Sequence, residues 1–284
     1  MLVGGFVTSP LRAQSTFSDP VLLRTPASVR FSGLHGAGAA LVGHAGAVFT
    51  NPAGLATIRH IAVEGGYRSA EFGGYVASAA LGARVGQFDV GGGLQHFDAS
   101  TLPGSANETL VVGSLVYRFG LIAVGTTGKY MRASVNNTAA DGASLDIGVA
   151  LAVFDIMALG FSVQNVTGNW QSNSLLAMPR TTRTGFTMNY VDPLGSFRLL
   201  STIEWQWPEG QDSRFVVGGE AGVVLGGVGV VGRLAHATRP EGSELPAFTY
   251  GGTLELVWAD VDYAFEPRPI TSSDVHRLGL RVAF

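Results

Sequence analysis

From about residue 60 to the C-terminus, apolar residues fall at every second position. In SLDIGVALAV, Leu145, Ile147, Val149, Leu151 and Val153 share one face, and Asp146, Gly148, Ala150 and Ala152 the other. In FRLLSTIEWQW, Phe197, Leu199, Ile203, Trp205 and Trp207 oppose Arg198, Thr202, Glu204 and Gln206. In HRLGLRVAF, Leu278, Leu280, Val282 and Phe284 oppose Arg277, Gly279, Arg281 and Ala283. A period of two with one apolar face is the pattern of a β-strand. It predicts fourteen strands, at 60–69, 72–84, 87–97, 107–118, 120–133, 142–153, 156–165, 180–191, 196–207, 213–225, 227–237, 246–257, 259–266 and 273–284.

The connections follow a second pattern. After even-numbered strands they are short (VG, FG, FD, PLG, GG). After odd-numbered strands they are mostly long (DASTLPGSAN, SVNNTAADG, VTGNWQSNSLLAMPR, ATRPEGSELP, PRPITSS), with the first, AE, as the exception. Tight turns on one side and long loops on the other are the asymmetry of a transmembrane antiparallel β-barrel of the bacterial outer membrane. The fold class expected is therefore all-β, a barrel of about 14 strands, with both chain ends on the short-turn, periplasmic side.

The two faces differ chemically. Asp89, Lys129, Asp146, Arg183, Arg198, Glu204, Arg214, Glu220, Arg233, Glu255, Asp260, Asp262, Arg277 and Arg281 share the phase of the small residues. A charge in hydrocarbon costs roughly 2–4 kcal/mol at the midplane, so these side chains are expected in the lumen. Both signs are equally represented, which suggests internal pairing more than an ion-selective pore. Gly91, Gly93, Gly113, Gly148, Gly218, Gly222, Gly251 and Gly279 share that inner face, and Tyr117, Phe119, Phe154, Tyr190, Trp205, Trp207, Trp258, Tyr263 and Phe265 near strand ends fit interfacial girdles.

Composition agrees with a lipid-facing surface. Charged residues are 14%, against roughly 25% in soluble domains, and mean hydropathy is +0.27. The net charge of −3 gives no footprint for nucleic acid. With no cysteine, thiolate metal sites, disulfides and cysteine nucleophiles are excluded.

The segment before the barrel lacks alternation. Residues 1–13, MLVGGFVTSPLRA, resemble the tail of a secretory signal without its basic start. Residues 14–58 are expected to form a lumenal plug leading to the barrel at 59–284. The stretch 31–58 carries no charged residue, six glycines and Pro52. Each interior glycine costs a helix roughly 0.5–1 kcal/mol, which argues against a membrane helix. A short helix at about 37–48 is expected, ended at Asn51-Pro52, with Gly54 free to turn left-handed into the first strand. Gly36, Gly38, Gly43, Asn51, Pro52 and Gly54 are the candidate lumenal residues.

Other motifs carry little. GAGAALVG at 36–43 has Leu41 where a dinucleotide fingerprint needs glycine, and a phosphate loop beginning at Gly38 would need lysine where His44 stands. The histidines at 35, 44, 60, 96, 236 and 276 show no metal-site spacing. Ser273, Asp274 and His276 are close in sequence only, which does not make a triad. Asn-x-Ser/Thr matches at Asn107, Asn136 and Asn165 carry no weight in a bacterial protein. No enzyme, cofactor or metal is expected.

GLHGAGAALVGHAGAVFTNPAGLATI ahead of an alternating barrel resembles the N-terminal signature of FadL-like outer-membrane proteins. DYAFEPRPITSSDVHRLGLRVAF and DIGVALAVFDIMALGFSVQNVTG resemble the PorV/PorQ branch, associated with the type IX secretion system of Bacteroidota and relatives. The PorV/PorQ resemblance implies action through protein partners, namely translocon subunits and secreted cargo, in secretion or surface attachment. Apolar loop residues Leu102, Trp170, Leu175, Leu176, Met178 and Leu245 are the candidate partner-facing positions. The FadL resemblance implies the alternative, passage of hydrophobic small molecules. An apolar cavity past residues 36–54 with a broken strand in the wall would favour passage; a lumen filled by that segment and by paired charges would favour partner binding. Outer-membrane lipid surrounds the chain in either case.

Overall fold

In the computed structural model the described residues are 20–284 apart from 70–73, 100–105, 137, 154–155, 172–174, 193–194, 240–245 and 268–273. The expectations for residues 1–19, Leu102, Phe154, Leu245 and Ser273 lie outside them.

Fourteen strands form: β1 (Ile61–Ser69), β2 (Tyr75–Val85), β3 (Phe88–Asp98), β4 (Ala106–Phe119), β5 (Ile122–Val135), β6 (Thr138–Val153), β7 (Met157–Gln164), β8 (Thr181–Asn189), β9 (Phe197–Pro208), β10 (Arg214–Leu225), β11 (Val228–Ala237), β12 (Phe248–Glu255), β13 (Asp260–Glu266) and β14 (Val275–Ala283). Each pairs antiparallel with its sequence neighbours, and β1 pairs with β14 from Ala62–Ala283 to Arg68–Arg277 to close the barrel. Closure leaves no unpaired sheet edge, the condition for a sheet to cross hydrocarbon. The start of β1 meets the residue after β14 where the Ile61 carbonyl accepts from the Phe284 N–H at 2.8 Å.

The alternation seen in the sequence is the alternation of the wall. Leu81, Leu94, Leu115, Ile147, Leu159, Leu199, Leu234 and Leu280 stand exposed on the outer surface, while every charged residue assigned to the inner face is buried or half-buried. Tyr117, Phe119, Tyr190, Trp205, Trp207, Trp258 and Tyr263 are exposed near strand ends, and Phe265 is half-buried.

One connection differs from its expectation. The stretch SVNNTAADG is not a long loop; β5 and β6 run on through it and join through residues 136–137, with Asn136 at φ 49°. Asparagine tolerates that left-handed turn, and Ala133, Ala139 and Ala140 continue the ladder.

Residues 20–58 lie inside the barrel, and Arg59 and His60 are exposed where the chain enters the wall. The inner segment holds two single-turn helices, α1 (Val21–Arg24) and α2 (Val29–Ser32), and two 3₁₀ turns, Ala45–Phe49 and Pro52–Leu55. The core sits between this segment and the inner wall. Phe31, Leu34, Val48, Leu55 and Ile58 are each at most 2% exposed, and burial of such side chains contributes roughly 1.5–3 kcal/mol apiece. Among the described residues no helix is long and apolar enough to cross a membrane.

Candidate functional site

The lumen is built around main-chain contacts between the wall and the N-terminal segment. Three carboxylates on inward positions of the strands accept backbone N–H groups. Glu108 on β4 accepts from Val21 and Leu22 at 2.9 and 2.8 Å. Glu204 on β9 accepts from Gly38 and Ala39 at 2.8 and 2.7 Å through one oxygen. Glu64 on β1 accepts from Gly46 at 3.1 Å. Arginines take the carbonyls: Arg183 donates to Gly36 O at 3.0 Å and Arg277 to Pro26 O at 2.8 Å. Bonds to charged groups are worth roughly 1.5–3 kcal/mol each, about twice a neutral one.

The expected helix at 37–48 does not form. Gly43, left-handed at φ 83°, interrupts the run, as does Gly36 at φ 78° just before it, while the Glu204 carboxylate takes the N–H groups of Gly38 and Ala39. The chain bends at Ala39–Ala40 and again at Gly43, and the next helical element is the 3₁₀ turn beginning at Ala45. Gly43 is tied instead to Gly54, its N–H donating to the Gly54 carbonyl at 2.8 Å. Gly54 is not left-handed; Thr57 is, at φ 77°. A Cβ on Gly54 would stand 2.8 Å from Ala47 Cβ, so that position needs small size and not an unusual dihedral.

Asn51 and Pro52 fix the turn into the wall. Asn51 Oδ1 caps the Pro52–Leu55 turn by accepting from Ala53 N–H at 3.1 Å, while its Nδ2 donates to Ala39 O at 2.6 Å and Val149 O at 3.2 Å. Several wall glycines exist to admit this segment. Gly91 faces Leu55 and Val48, Gly93 faces Phe49, Gly148 faces Asn51, Gly218 faces Leu34 and Gly279 faces Val29. Gly251 instead makes room for Arg233, Gly222 abuts only its own sheet, and Gly113 has open space.

The lumenal charges pair with one another. Glu220 holds Arg30 at 2.6 Å and Arg233 at 3.0 Å; Arg233 reaches Asp262 at 3.2 Å. Arg281 binds Asp262 and, at 3.1 Å, Asp260. Arg198–Glu255 (3.0 Å), Arg183–Glu204 (3.0 Å), Lys129–Asp146 (2.7 Å) and Arg118–Asp89 (2.7 Å) complete the set. Arg277 pairs with Glu266 at 2.8 Å. Arg214 lies instead 2.9 Å from His35 Nδ1, whose other nitrogen meets Pro246 O at 2.9 Å. That arrangement suits a neutral imidazole, accepting at Nδ1 and donating at Nε2. Burial first, and Arg214 second, hold the His35 pKa down to about 4.

A cavity of about 370 Å³ remains at the short-turn end, bounded by the stretch 40–44 and the inner faces of β6–β14. The wall is continuous. The ladders of β3 with β2 and β4 run without a break through Gly91, Gly92 and Gly93.

Of the loop residues, Trp170 and Leu175 are exposed, but Leu176 and Met178 are 2% and 4% exposed. Both fold down into the mouth, where a Cβ on Gly142 would stand 2.9 Å from each, so neither is a free contact surface. His276 pairs with Tyr263 Oη at 2.7 Å on the outer surface. Among the described residues no cluster of three or more histidine or acidic side chains could hold a metal.

Neither a protein-family profile nor a curated protein matches the sequence. Solved structures do match in three dimensions. The CymD monoaromatic hydrocarbon channel superposes with a TM-score of 0.65 at 12% identity, covering 92% of this chain and 98% of its own. A Pseudomonas aeruginosa FadL homologue gives 0.66 at 11% identity, covering 94% and 99%. The Ralstonia pickettii toluene transporter TbuX gives 0.62 at 12% identity, covering 95% and 99%.

The chain shares the fold of these solved barrels, as a closed antiparallel barrel of fourteen strands.

In this barrel the sequence pattern placed the inward charges but passed over three residues that hold the segment. Glu64 and Glu108 lie on the inward phase of their strands, which alternation alone would have flagged. Arg30 sits in the aperiodic segment, where no pattern assigns a partner.

Proposed function

We propose that the chain passes hydrophobic small molecules across the outer membrane. The observation that carries this reading is the likeness, over more than nine-tenths of the chain, to barrels described as hydrocarbon channels and a toluene transporter. The apolar inner surface agrees with it. Leu22, Phe97, Leu110, Met131, Leu176 and Met178 belong to one buried cluster that continues through Val112 to Val48 and Phe49. The segment fills the barrel between this cluster and the cavity near the short turns, so passage requires the segment to shift. Its polar hold on the wall is spread over carboxylates, arginines and Asn51, so the contacts that such a shift breaks are identifiable one by one. The test is initial uptake of toluene by Gram-negative cells that lack their own hydrophobic-solute channel. Expression of this chain is expected to raise the rate above the empty vector; an unchanged rate overturns the reading.

The filled lumen and paired charges favour a second reading. Here the barrel acts as a PorV/PorQ-type partner in protein secretion, with Trp170 and Leu175 as its exposed apolar contacts. It rests on the sequence resemblance. Affinity purification from native membranes separates the two: co-purification of translocon subunits supports the second, and their absence with bound lipid-like molecules supports the first.

A further inference from the structure

The cavity near the short turns is two-sided. One side is apolar, formed by Leu41 and Val42 of the segment with Ala158 and Leu200 of the wall; the other carries five arginines and three carboxylates. Four of those arginines are committed. Arg30 and Arg233 hold Glu220, Arg198 holds Glu255, and Arg281 holds Asp260 together with Asp262 behind it. His44, against Arg30, is kept well below its ordinary pKa by burial and by that guanidinium, and so adds no charge. The fifth, Arg59, is exposed at the mouth and has no ion pair or hydrogen bond among the described residues. Thr57 and Asn189 line the same cavity and add polar groups suited to an oxygen ligand.

We propose that this cavity binds a compact organic monoanion, a carboxylate whose head meets Arg59 and whose monocyclic or short-chain body lies against Leu41, Val42, Ala158 and Leu200. One free cation in a lining whose other charges are matched selects one negative charge. The volume of about 370 Å³ equals the liquid volume of roughly a dozen waters. That is enough for a single ring or a short chain. The proposal deepens the reading of the barrel as a passage for hydrophobic molecules and rests on it, but it assigns this end of the lumen to an acid and not to a neutral hydrocarbon.

The test uses ¹⁹F NMR titration of the purified full chain in detergent micelles, with 4-fluorobenzoate as the probe and 4-fluorotoluene as its neutral counterpart. Saturable binding of 4-fluorobenzoate is expected, weakened about tenfold by Arg59→Gln, with 4-fluorotoluene unaffected by that change. Ala158→Leu, which fills the apolar side, is expected to weaken 4-fluorobenzoate as well. Arg59 is exposed, so its variant keeps the fold, and heat-modifiable gel mobility checks both variants. Binding no greater than partition into protein-free micelles overturns the proposal, as does equal affinity in the Arg59 variant. Toluene uptake by cells without 4-fluorobenzoate binding would overturn this proposal and leave the passage reading standing. Saturable binding without uptake would do the reverse.

Discussion

Gly148 on β6 is the seat of Asn51: a Cβ added to Gly148 would overlap Asn51 Oδ1. The two positions are 97 residues apart in the sequence, and each is intelligible only through the other. Asn51 joins the extended stretch at Ala39, the turn at Ala53 and the wall at Val149. It reaches all three only because the wall is bare at Gly148.

Gly148→Ala is therefore expected to push Asn51 out of its seat. Overpacking of this kind costs about 1–3 kcal/mol. The measurement is single-channel conductance in planar bilayers: the variant should show more frequent open events than the parent, and Asn51→Ala should show the same change. Identical traces for parent and both variants would mean that this contact does not hold the lumen closed.

Glu204→Gln tests the second attachment. The carboxylate holds two backbone N–H groups and Arg183 while only 1% exposed. Loss of one partner of a buried pair costs about 3–5 kcal/mol. Proteolysis within residues 36–44 should accelerate while the barrel keeps its heat-modifiable gel mobility. The Arg183→Gln, Glu204→Gln double variant should lose less than the sum of the singles, because no unpaired charge is left behind.

The mouth gives a contrast between neighbours. Leu176→Ala and Met178→Ala are each expected to lower unfolding stability in urea by about 2–5 kcal/mol, as buried truncations do. Trp170→Ala, on an exposed position, should stay within about 0.5 kcal/mol.

Acid should loosen the segment near His35. The folded value of about 4 lies below the unfolded value of about 6.5, so the neutral ring favours the folded state. That contribution is complete above pH 6.5 and is lost as pH falls toward 4, at about 1.4 kcal/mol per unit. Hydrogen exchange at residues 33–37 should rise over that window. In Arg214→Gln, where one of the two causes of depression is gone, the rise should level off at a higher pH and be smaller. An exchange rate that is flat from pH 7 to 4, after correction for intrinsic chemistry, would contradict this account.

The barrel was legible because its physical cause is local. A strand between lipid and lumen must alternate, and the ends of β7, β9, β10 and β13 fall within one residue or two of the pattern at 156–165, 196–207, 213–225 and 259–266. The β5–β6 turn was missed because Asn136 and its polar neighbours look the same in a long loop and in a tight turn. The segment inside the lumen was only partly legible. Its lack of charge and its glycines mark it as buried, but its conformation is set by Glu204, Arg183 and Gly148, which lie more than ninety residues away. The helix expected at 37–48 follows from local propensity, but Gly43 is left-handed within it and the segment is held by wall contacts that local propensity does not include. Leu176 and Met178 read as exposed for a similar reason: the pocket they enter is made by Gly142, on another strand.

Glu108 and Glu204 hold the segment by its amide hydrogens. Every amino acid except proline carries that hydrogen. The barrel thus recognises the path of the chain threaded through it more than the identity of the residues on that path. At position 21, half-buried, the letters of the sequence should be broadly interchangeable under mutational scanning, with proline the conspicuous gap, whereas position 22 should keep an apolar residue because Leu22 is buried.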